Sequence, residues 1–204
     1  EPTVGRWSRG RCSSWTSVDV VLAVRRRTPA SREDRPYALA MRWLMGGQVY
    51  DVSTGSFRTA DIGIAHGRIA TVGSGARREH ADDTIDATGL WLLPGLIDCH
   101  VHFCLGAEPD VVEAIANETP ALTLLKSSRA AHQTLEAGVT TVRDVGSRDH
   151  AIFTLKQAID TGLVPGPRIV GAGLAICMIG GHARFIGQEV EGVEQVRADR
   201  KSVV

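Results

Sequence analysis

Two histidines separated by one residue are the strongest chemical signal in the chain. His100 and His102 end an apolar run that begins at Leu92. Because successive residues of a β-strand point to opposite faces, this spacing predicts that both imidazoles project toward a common point. One zinc ion binds such nitrogens at roughly 2.0 to 2.1 Å, and a catalytic zinc usually takes three protein ligands and a water. The pair is therefore half of a metal site, or else two ordinary histidines, one capping a carbonyl and the other solvated.

The residues before this pair predict a buried strand that reaches the rim of a parallel sheet. Pro94 and Gly95 turn the chain, Leu96 and Ile97 supply a buried entry, and Asp98 begins the polar end. Parallel sheets are covered on both faces, and in barrel enzymes the carboxyl ends of their strands carry the functional side chains. We therefore expect a central strand that presents the histidines at an active-site rim.

Three motifs carry a resemblance to a known family. The run Leu93-Pro-Gly-Leu-Ile-Asp-Cys-His-Val-His102 resembles the first barrel strand of the amidohydrolase superfamily, and Ala137-Gly-Val-Thr-Thr-Val-Arg-Asp144 is similar to its second strand. Gly166-Pro-Arg-Ile-Val170, followed by Gly180-Gly-His182, resembles the third strand and loop of the imidazolonepropionase-like and prolidase-like branch. The motifs occur in the family's order, and the resemblance extends from about residue 41 to about residue 196.

The resemblance implies a fold, a cofactor and an activity. The fold would be α/β, an incomplete (β/α)8 TIM barrel of about three βα units preceded by half of a small β-sandwich. His100 and His102 would bind one or two divalent metals, commonly zinc, at the mouth of the barrel. The activity would be metal-dependent hydrolysis of a C–N bond in a small amide, a cyclic amide or a dipeptide. The family's later ligands and its proton-shuttling aspartate are not assigned to any residue of this chain.

Two further residues are candidates for substrate binding. Arg143 ends the second predicted strand, where its guanidinium could hold a substrate carboxylate through two parallel hydrogen bonds. The alternative is an ion pair with Asp144 or with a neighbouring strand that only shapes the barrel. His182 lies in a glycine-flanked loop on the same rim, and a substrate contact there stands beside a purely structural role. The resembling branch usually carries a glycine after this histidine, where this chain has Ala183.

Composition excludes several other functions. The 23 basic and 23 acidic residues give a formal net charge of zero, which argues against a nucleic-acid partner because phosphate binding needs a basic surplus. The longest apolar stretch near the start is far shorter than the roughly 20 residues of a membrane span. The four cysteines have neither zinc-ribbon nor disulfide-scaffold spacing, so a reducing cytoplasm is expected. Cys99 should face packing helices as a small buried side chain.

The chain divides into four predicted segments. Residues 1–40 form an irregular, arginine-rich extension that we interpret as lying before a native start at Met41. Residues 41–94 are expected to form the N-terminal part of the β-sandwich, with a hairpin turn at His66 and Gly67. Residues 95–198 should hold the first βα units, and residues 199–204 are interpreted as an artefactual tail.

Alternating patterns beyond Leu96 predict parallel βα units. We expect strands over residues 96–103, 139–145 and 168–176 and helices over residues 119–137 and 149–161, with a further helix beginning near Glu189. A complete barrel takes about 250 residues, so the 110 residues from Gly95 to Val204 hold three units and part of a fourth.

Two other functions stay open at this point. The chain could be a catalytically inert fragment that keeps the first two ligands but lacks the later ones. A weaker hypothesis is a small metal-binding module that uses His100, His102 and His182.

Overall fold

The computed structural model describes residues 41–73 and 83–201, which fall into two compact units. One unit ends at Pro94 and the other begins at Gly95. The prediction for residues 1–40 lies outside the described residues, as do the last three residues of the predicted tail. Within the described ranges no helix is long and apolar enough to cross a membrane.

The first unit is a single twisted sheet built around its first strand. Its strands are β1 (Arg42–Asp51), β2 (Ser56–Ala65), β3 (Arg68–Gly73), β4 (Asp83–Asp86) and β5 (Trp91–Leu92). β1 pairs antiparallel with β2 and parallel with both β4 and β5, and β3 flanks β2. The predicted hairpin turn is confirmed, because His66 and Gly67 have φ of 53° and 71°, as a tight two-residue turn requires.

The second unit alternates strands with helices. Its elements are β6 (Leu96–Val101), α1 (Val111–Asn117), α2 (Pro120–Glu136), β7 (Val139–Asp144), α3 (Ala151–Asp160), β8 (Arg168–Gly171), β9 (Ala175–Met178), β10 (Gly187–Val190) and α4 (Gly192–Lys201). β6, β7 and β8 form a parallel sheet in that order, and β9 and β10 form a separate parallel pair. The mixed α/β class is thereby confirmed.

The helix that connects β6 to β7 begins and ends where its sequence predicts. The Thr119 hydroxyl accepts a hydrogen bond from the Leu122 amide at 3.3 Å, and Pro120 occupies the first turn, where its missing N–H costs nothing. At the other end Gly138 has a φ of 91°, a conformation that an L side chain rarely adopts. These two signals place β7 directly after the helix.

The core of this unit lies on one face of the parallel sheet. Val142 and Ile169, which are register partners on β7 and β8, are buried against Ala131 of α2 and against Ile152 and Leu155 of α3. Residues that alternate with them point the other way, as the two-residue period of a strand requires. The helices therefore cover one face, and the other face is exposed.

Three details of the predicted elements were wrong. β6 is an edge strand of the described sheet rather than a central one, so Leu96 and Ile97 are 58% and 49% exposed instead of buried. The third predicted strand divides, because Gly173 turns the chain with a φ of 78° and β9 then pairs with β10. The region near Glu189 is a strand, and its helix begins only at Gly192.

The buried face predicts a contrast between two leucines in helices. Leu155 is 1% exposed and Leu125 is 69% exposed. Leu155→Ala should lower the free energy of unfolding by about 2 to 5 kcal/mol, because it removes buried methyl groups and leaves a cavity. The control Leu125→Ala should change it by about 0.5 kcal/mol or less. Urea unfolding followed by circular dichroism measures both, and equal effects would contradict the assigned core.

Candidate metal centre

The two histidines come together at the carboxyl end of β6. His100 lies in the strand and His102 follows its last residue. Their ring centroids are 5.3 Å apart, and the ring planes meet at 75°. His100 is exposed and His102 is partly buried, so the pair is open to solvent on one side and supported by protein on the other.

This spacing suits two imidazoles on one ion. With metal–nitrogen distances of about 2.0 to 2.1 Å and a tetrahedral angle between them, two coordinated rings have centroids about 5 Å apart. The observed 5.3 Å agrees with that separation. The ring separation therefore allows one divalent ion between His100 and His102, and it equally allows two ordinary histidines, one bonded to a carbonyl and the other solvated.

The hydrogen bond of His102 determines which ring nitrogen is available to a metal. Nδ1 of His102 lies 2.9 Å from the carbonyl oxygen of Gly146. A carbonyl oxygen only accepts hydrogen bonds, so Nδ1 carries the proton and donates it. In the neutral ring Nε2 is then the nitrogen without a proton, and that nitrogen could bind a metal.

The buried carboxylate of Asp144 holds the backbone around His102. Its Oδ2 accepts a hydrogen bond from the Phe103 amide at 2.9 Å, and its Oδ1 accepts one from the Gly146 amide at 3.2 Å. Asp144 is 0% exposed, and burial raises the pKa of this carboxyl while the two amides and nearby His102 oppose the rise. One side chain thus joins the residue after His102 to the residue whose carbonyl orients the ring.

Gly146 contributes through its lack of a side chain. A β-carbon at this position would lie 3.3 Å from both Cε1 and Nδ1 of His102, so any larger residue would crowd the ring. Cys104 also approaches this carbonyl, with Sγ at 3.7 Å, and burial raises the pKa of its thiol. Sequence reasoning missed Asp144 and Gly146 as supports for His102, although an aspartate at the end of a strand and a glycine two residues later were a readable signal.

His100 is carried by an irregular part of β6. The strand register shifts between Asp98 and Val101, and the His100 amide donates to Oδ1 of Asp98 at 3.0 Å. Cys99 in this segment is exposed, so the expectation that it packs against helices was wrong. α2 packs on β7 and α3 on β8, and Cys99 is not part of the core that they cover.

The structure places Arg143 beside the segment that carries His100, and His182 in the loop after β9. Arg143 is exposed, and its Nε donates to the carbonyl oxygen of Cys99 at 2.8 Å. Asp144 points to the opposite, buried face of the sheet. Arg143 therefore bonds to the Cys99 carbonyl and Asp144 to backbone amides, in place of the predicted ion pair between the two side chains. His182 lies exposed in the loop after β9. Its neighbour Ala183 has a φ of 65°, a left-handed conformation that glycine adopts more readily.

Within residues 41–73 and 83–201, no three His, Cys, Asp or Glu side chains come together as a metal-binding group. His182 therefore does not complete the His100 and His102 pair. The hypothesis of a small three-histidine module has no support in the described part of the chain.

Comparison with known proteins decides the family. The model of the amidohydrolase family matches residues 91–201, more than half of the 204-residue chain. The chain belongs to the amidohydrolase family. Among curated proteins, adenine deaminase 2 of Rhizobium meliloti (strain 1021) is 51% identical over 57 residues, which are 28% of this chain and 10% of that protein. Dihydroorotase of Geobacter metallireducens is 42% identical over 59 residues, 29% of this chain and 14% of that protein.

Solved structures place this amidohydrolase near prolidases. A prolidase complexed with N-methylphosphonate-L-proline is 31% identical, with a TM-score of 0.71 over 80% of this chain and 44% of that one. A Xaa-Pro dipeptidase with bound methionine is 26% identical, with a TM-score of 0.69 over 79% of this chain and 44% of that one. The expected resemblance to the prolidase-like branch is confirmed, and the chain spans less than half the length of these relatives.

The Asp144 network predicts a large loss of stability on truncation of this side chain. Asp144→Ala should lower the free energy of unfolding by about 2 to 4 kcal/mol, because it leaves two buried amides without an acceptor. The matched control is Asp160→Ala, since Asp160 is exposed and pairs with Lys156, and it should cost about 0.5 kcal/mol or less. Chemical unfolding of both variants at one pH makes the comparison. A small effect at Asp144 would contradict a stabilising role for its two hydrogen bonds.

The same carboxyl gives a pH signature. Its pKa is raised above 3.8 in the folded chain, so the folded state holds the proton more tightly than the unfolded state does. Its contribution to stability is therefore complete below pH 3.8 and declines as the pH rises through the raised pKa. Asp144→Asn, which stands in for the protonated carboxyl, should remove this decline. Unfolding curves across the acid range, compared between the two proteins, would show parallel profiles if the assignment were wrong.

Proposed function

We propose that this chain carries the first two metal ligands of a metal-dependent amidohydrolase that hydrolyses a C–N bond. The observation that carries the proposal is the geometry of His100 and His102, whose rings are spaced for one ion. The Nδ1 hydrogen bond of His102 to Gly146 supports it, because it leaves the other nitrogen free for metal. The family match over residues 91–201 supports the reaction class.

The cofactor we propose is a divalent metal, with zinc as the ion and one or two ions per complete site. Such a metal lowers the pKa of bound water to about 7 and polarises the carbonyl of the scissile bond. The chain's own residues would hold the metal. His100 and His102 would supply nitrogen ligands, and Asp144 fixes the loop whose carbonyl orients His102. Neutral imidazole is the binding form, so protons should compete with the metal.

The substrate we propose is a small amide, a cyclic amide or a dipeptide, with the dipeptide favoured by the prolidase-like structures. Arg143 would bind the carboxylate of such a dipeptide, since it is exposed beside the irregular part of β6 that carries His100 and its hydrogen bond to Cys99 uses Nε. His182, which is exposed in the loop after β9, would be a second substrate contact. We propose no nucleic-acid or membrane partner.

The organisation and location of the protein are also proposals. Residues 41–94 and 95–198 would be separate domains, the first part of a β-sandwich and the second the beginning of a (β/α)8 barrel. A cytoplasmic location is supported by Cys99, Cys104 and Cys177, which are free thiols in the described part of the chain, as is usual in a reducing compartment.

A second candidate is a polypeptide that binds metal weakly and does not catalyse. The observation that favours it is the lack, among the described residues, of a group of three or more His, Cys, Asp or Glu side chains that could hold a metal ion. The two candidates differ in whether the 204-residue chain forms a usable site without further ligands. Metal binding and catalysis therefore have to be measured separately.

Zinc titration tests the metal proposal. The purified chain should bind zinc with one-to-one stoichiometry by calorimetry, and His100→Ala or His102→Ala should weaken binding by about 10-fold or more, because each removes one of two donors. The matched control is His132→Ala, whose histidine is exposed on α2 and pairs with Glu136, and it should bind as the wild type does. Binding weaker than about 1 mM in the wild type would favour the second candidate.

Hydrolysis of zinc-loaded protein tests the reaction. Xaa-Pro dipeptides should be cleaved faster than by zinc alone, with products followed by mass spectrometry, and cyclic amides serve as the competing substrate class. Arg143→Gln should raise the KM for a dipeptide by about 10-fold, because it removes the charged fork that binds a carboxylate. The KM for an uncharged amide should not change. Absence of turnover with every class would support the inert candidate.

A further inference from the structure

The segment that carries His100 is a β-bulge at the edge of the parallel sheet. Asp98 pairs with Val142 and Val101 pairs with Asp144, so two residues of β6, Cys99 and His100, stand opposite the single residue between those partners. A bulge removes backbone groups from the ladder and re-aims the side chains near it. The direction of the His100 ring therefore depends on what holds this bulge.

Two side chains hold one peptide group in the bulge. The carbonyl of Cys99 and the amide of His100 belong to the same planar peptide unit. Arg143 Nε donates to that carbonyl at 2.8 Å, and Asp98 Oδ1 accepts from that amide at 3.0 Å. Because the plane is held at both of its polar atoms, its rotation is restricted. This plane leads directly into the Cα of His100, so its orientation is one of the factors that set where the imidazole points.

We propose that Arg143 is a positioning residue for His100, holding the Cys99–His100 peptide so that the ring stays beside that of His102. This inference rests on the proposed function in treating His100 as a metal ligand. It adds a role for Arg143 that is independent of any substrate, since the contact is made by Nε to the chain's own backbone. The terminal nitrogens of the guanidinium remain for a substrate carboxylate.

The chemistry of the side chain allows the two roles to be separated. In glutamine the amide nitrogen stands at the same number of bonds from Cα as Nε of arginine, so Arg143→Gln keeps a donor for the Cys99 carbonyl and loses the charged fork. Methionine places a methyl group at that position, so Arg143→Met keeps the length and loses the donor. The pair therefore isolates one hydrogen bond.

The first measurement is free of metal. In EDTA, the wild type should show a nuclear Overhauser effect between ring protons of His100 and His102, whose centroids are 5.3 Å apart. Arg143→Met should weaken or abolish this signal, and Arg143→Gln should keep it. The chemical shifts of His132, which lies on α2 and distant in sequence from His100, should be the same in all three proteins and report an intact fold. An unchanged signal in Arg143→Met would overturn the inference.

The second measurement is zinc affinity without substrate. Arg143→Met should weaken binding by about 10-fold, as removal of a group that orients a metal ligand typically does, and Arg143→Gln should bind as the wild type does. A wild type that does not bind zinc would defeat the proposed function, while the ring-proton signal would still decide the positioning role. An equal loss of zinc affinity in Arg143→Met and Arg143→Gln would overturn the role of the hydrogen bond to Cys99 and assign the effect to the lost charge.

A second variant covers the case in which Arg143→Met does not fold. Asp98→Ala removes the other anchor of the same peptide group and should also weaken the ring-proton signal. Asp98→Asn keeps an oxygen acceptor for the His100 amide and is its matched control. If neither Asp98→Ala nor a folded Arg143→Met moves the ring of His100, the inference is wrong.

Discussion

The two hydrogen bonds that the Asp144 carboxylate accepts are the constraint on which the site depends. They join the backbone after β6 to the backbone after β7, through Phe103 and Gly146. Burial makes ionisation of this carboxyl costly, as its raised pKa shows, and the two amides offset part of that cost. Because Gly146 in turn accepts from His102, one buried side chain determines the orientation of a ring on the rim.

The two candidate ligands are held by different physics. His102 bonds to the carbonyl of Gly146, which is held by the two buried hydrogen bonds of Asp144, and buried bonds of this kind are expensive to break. His100 stands on an exposed bulge whose peptide is held by Arg143 and Asp98, where water competes for the same groups. The orientation of His100 is therefore the more easily changed of the two.

The exposed face of the parallel sheet is the other consequence of this arrangement. Helices cover Val142 and Ile169, whereas Ile97 and Val170 on exposed positions are 49% and 55% accessible. Parallel sheets are normally covered on both faces, which is why the sequence pattern at Leu96 and Ile97 predicted burial. The strand itself was predicted correctly. Its solvent exposure was not, because exposure depends on neighbouring elements that a local sequence pattern does not specify.

The sequence by itself determined the first strands and helices of the second unit and the spacing of the two histidines. The two-residue period placed His100 and His102 on one side, Thr119 and Gly138 bounded the helix after β6, and the motifs identified the family, because these signals act between residues close in the chain. Only the tertiary structure decided the bulge, the exposure of Cys99 and the roles of Arg143 and Asp144. Those depend on hydrogen bonds between residues 41 to 44 positions apart, and such contacts exist only after the strands have paired.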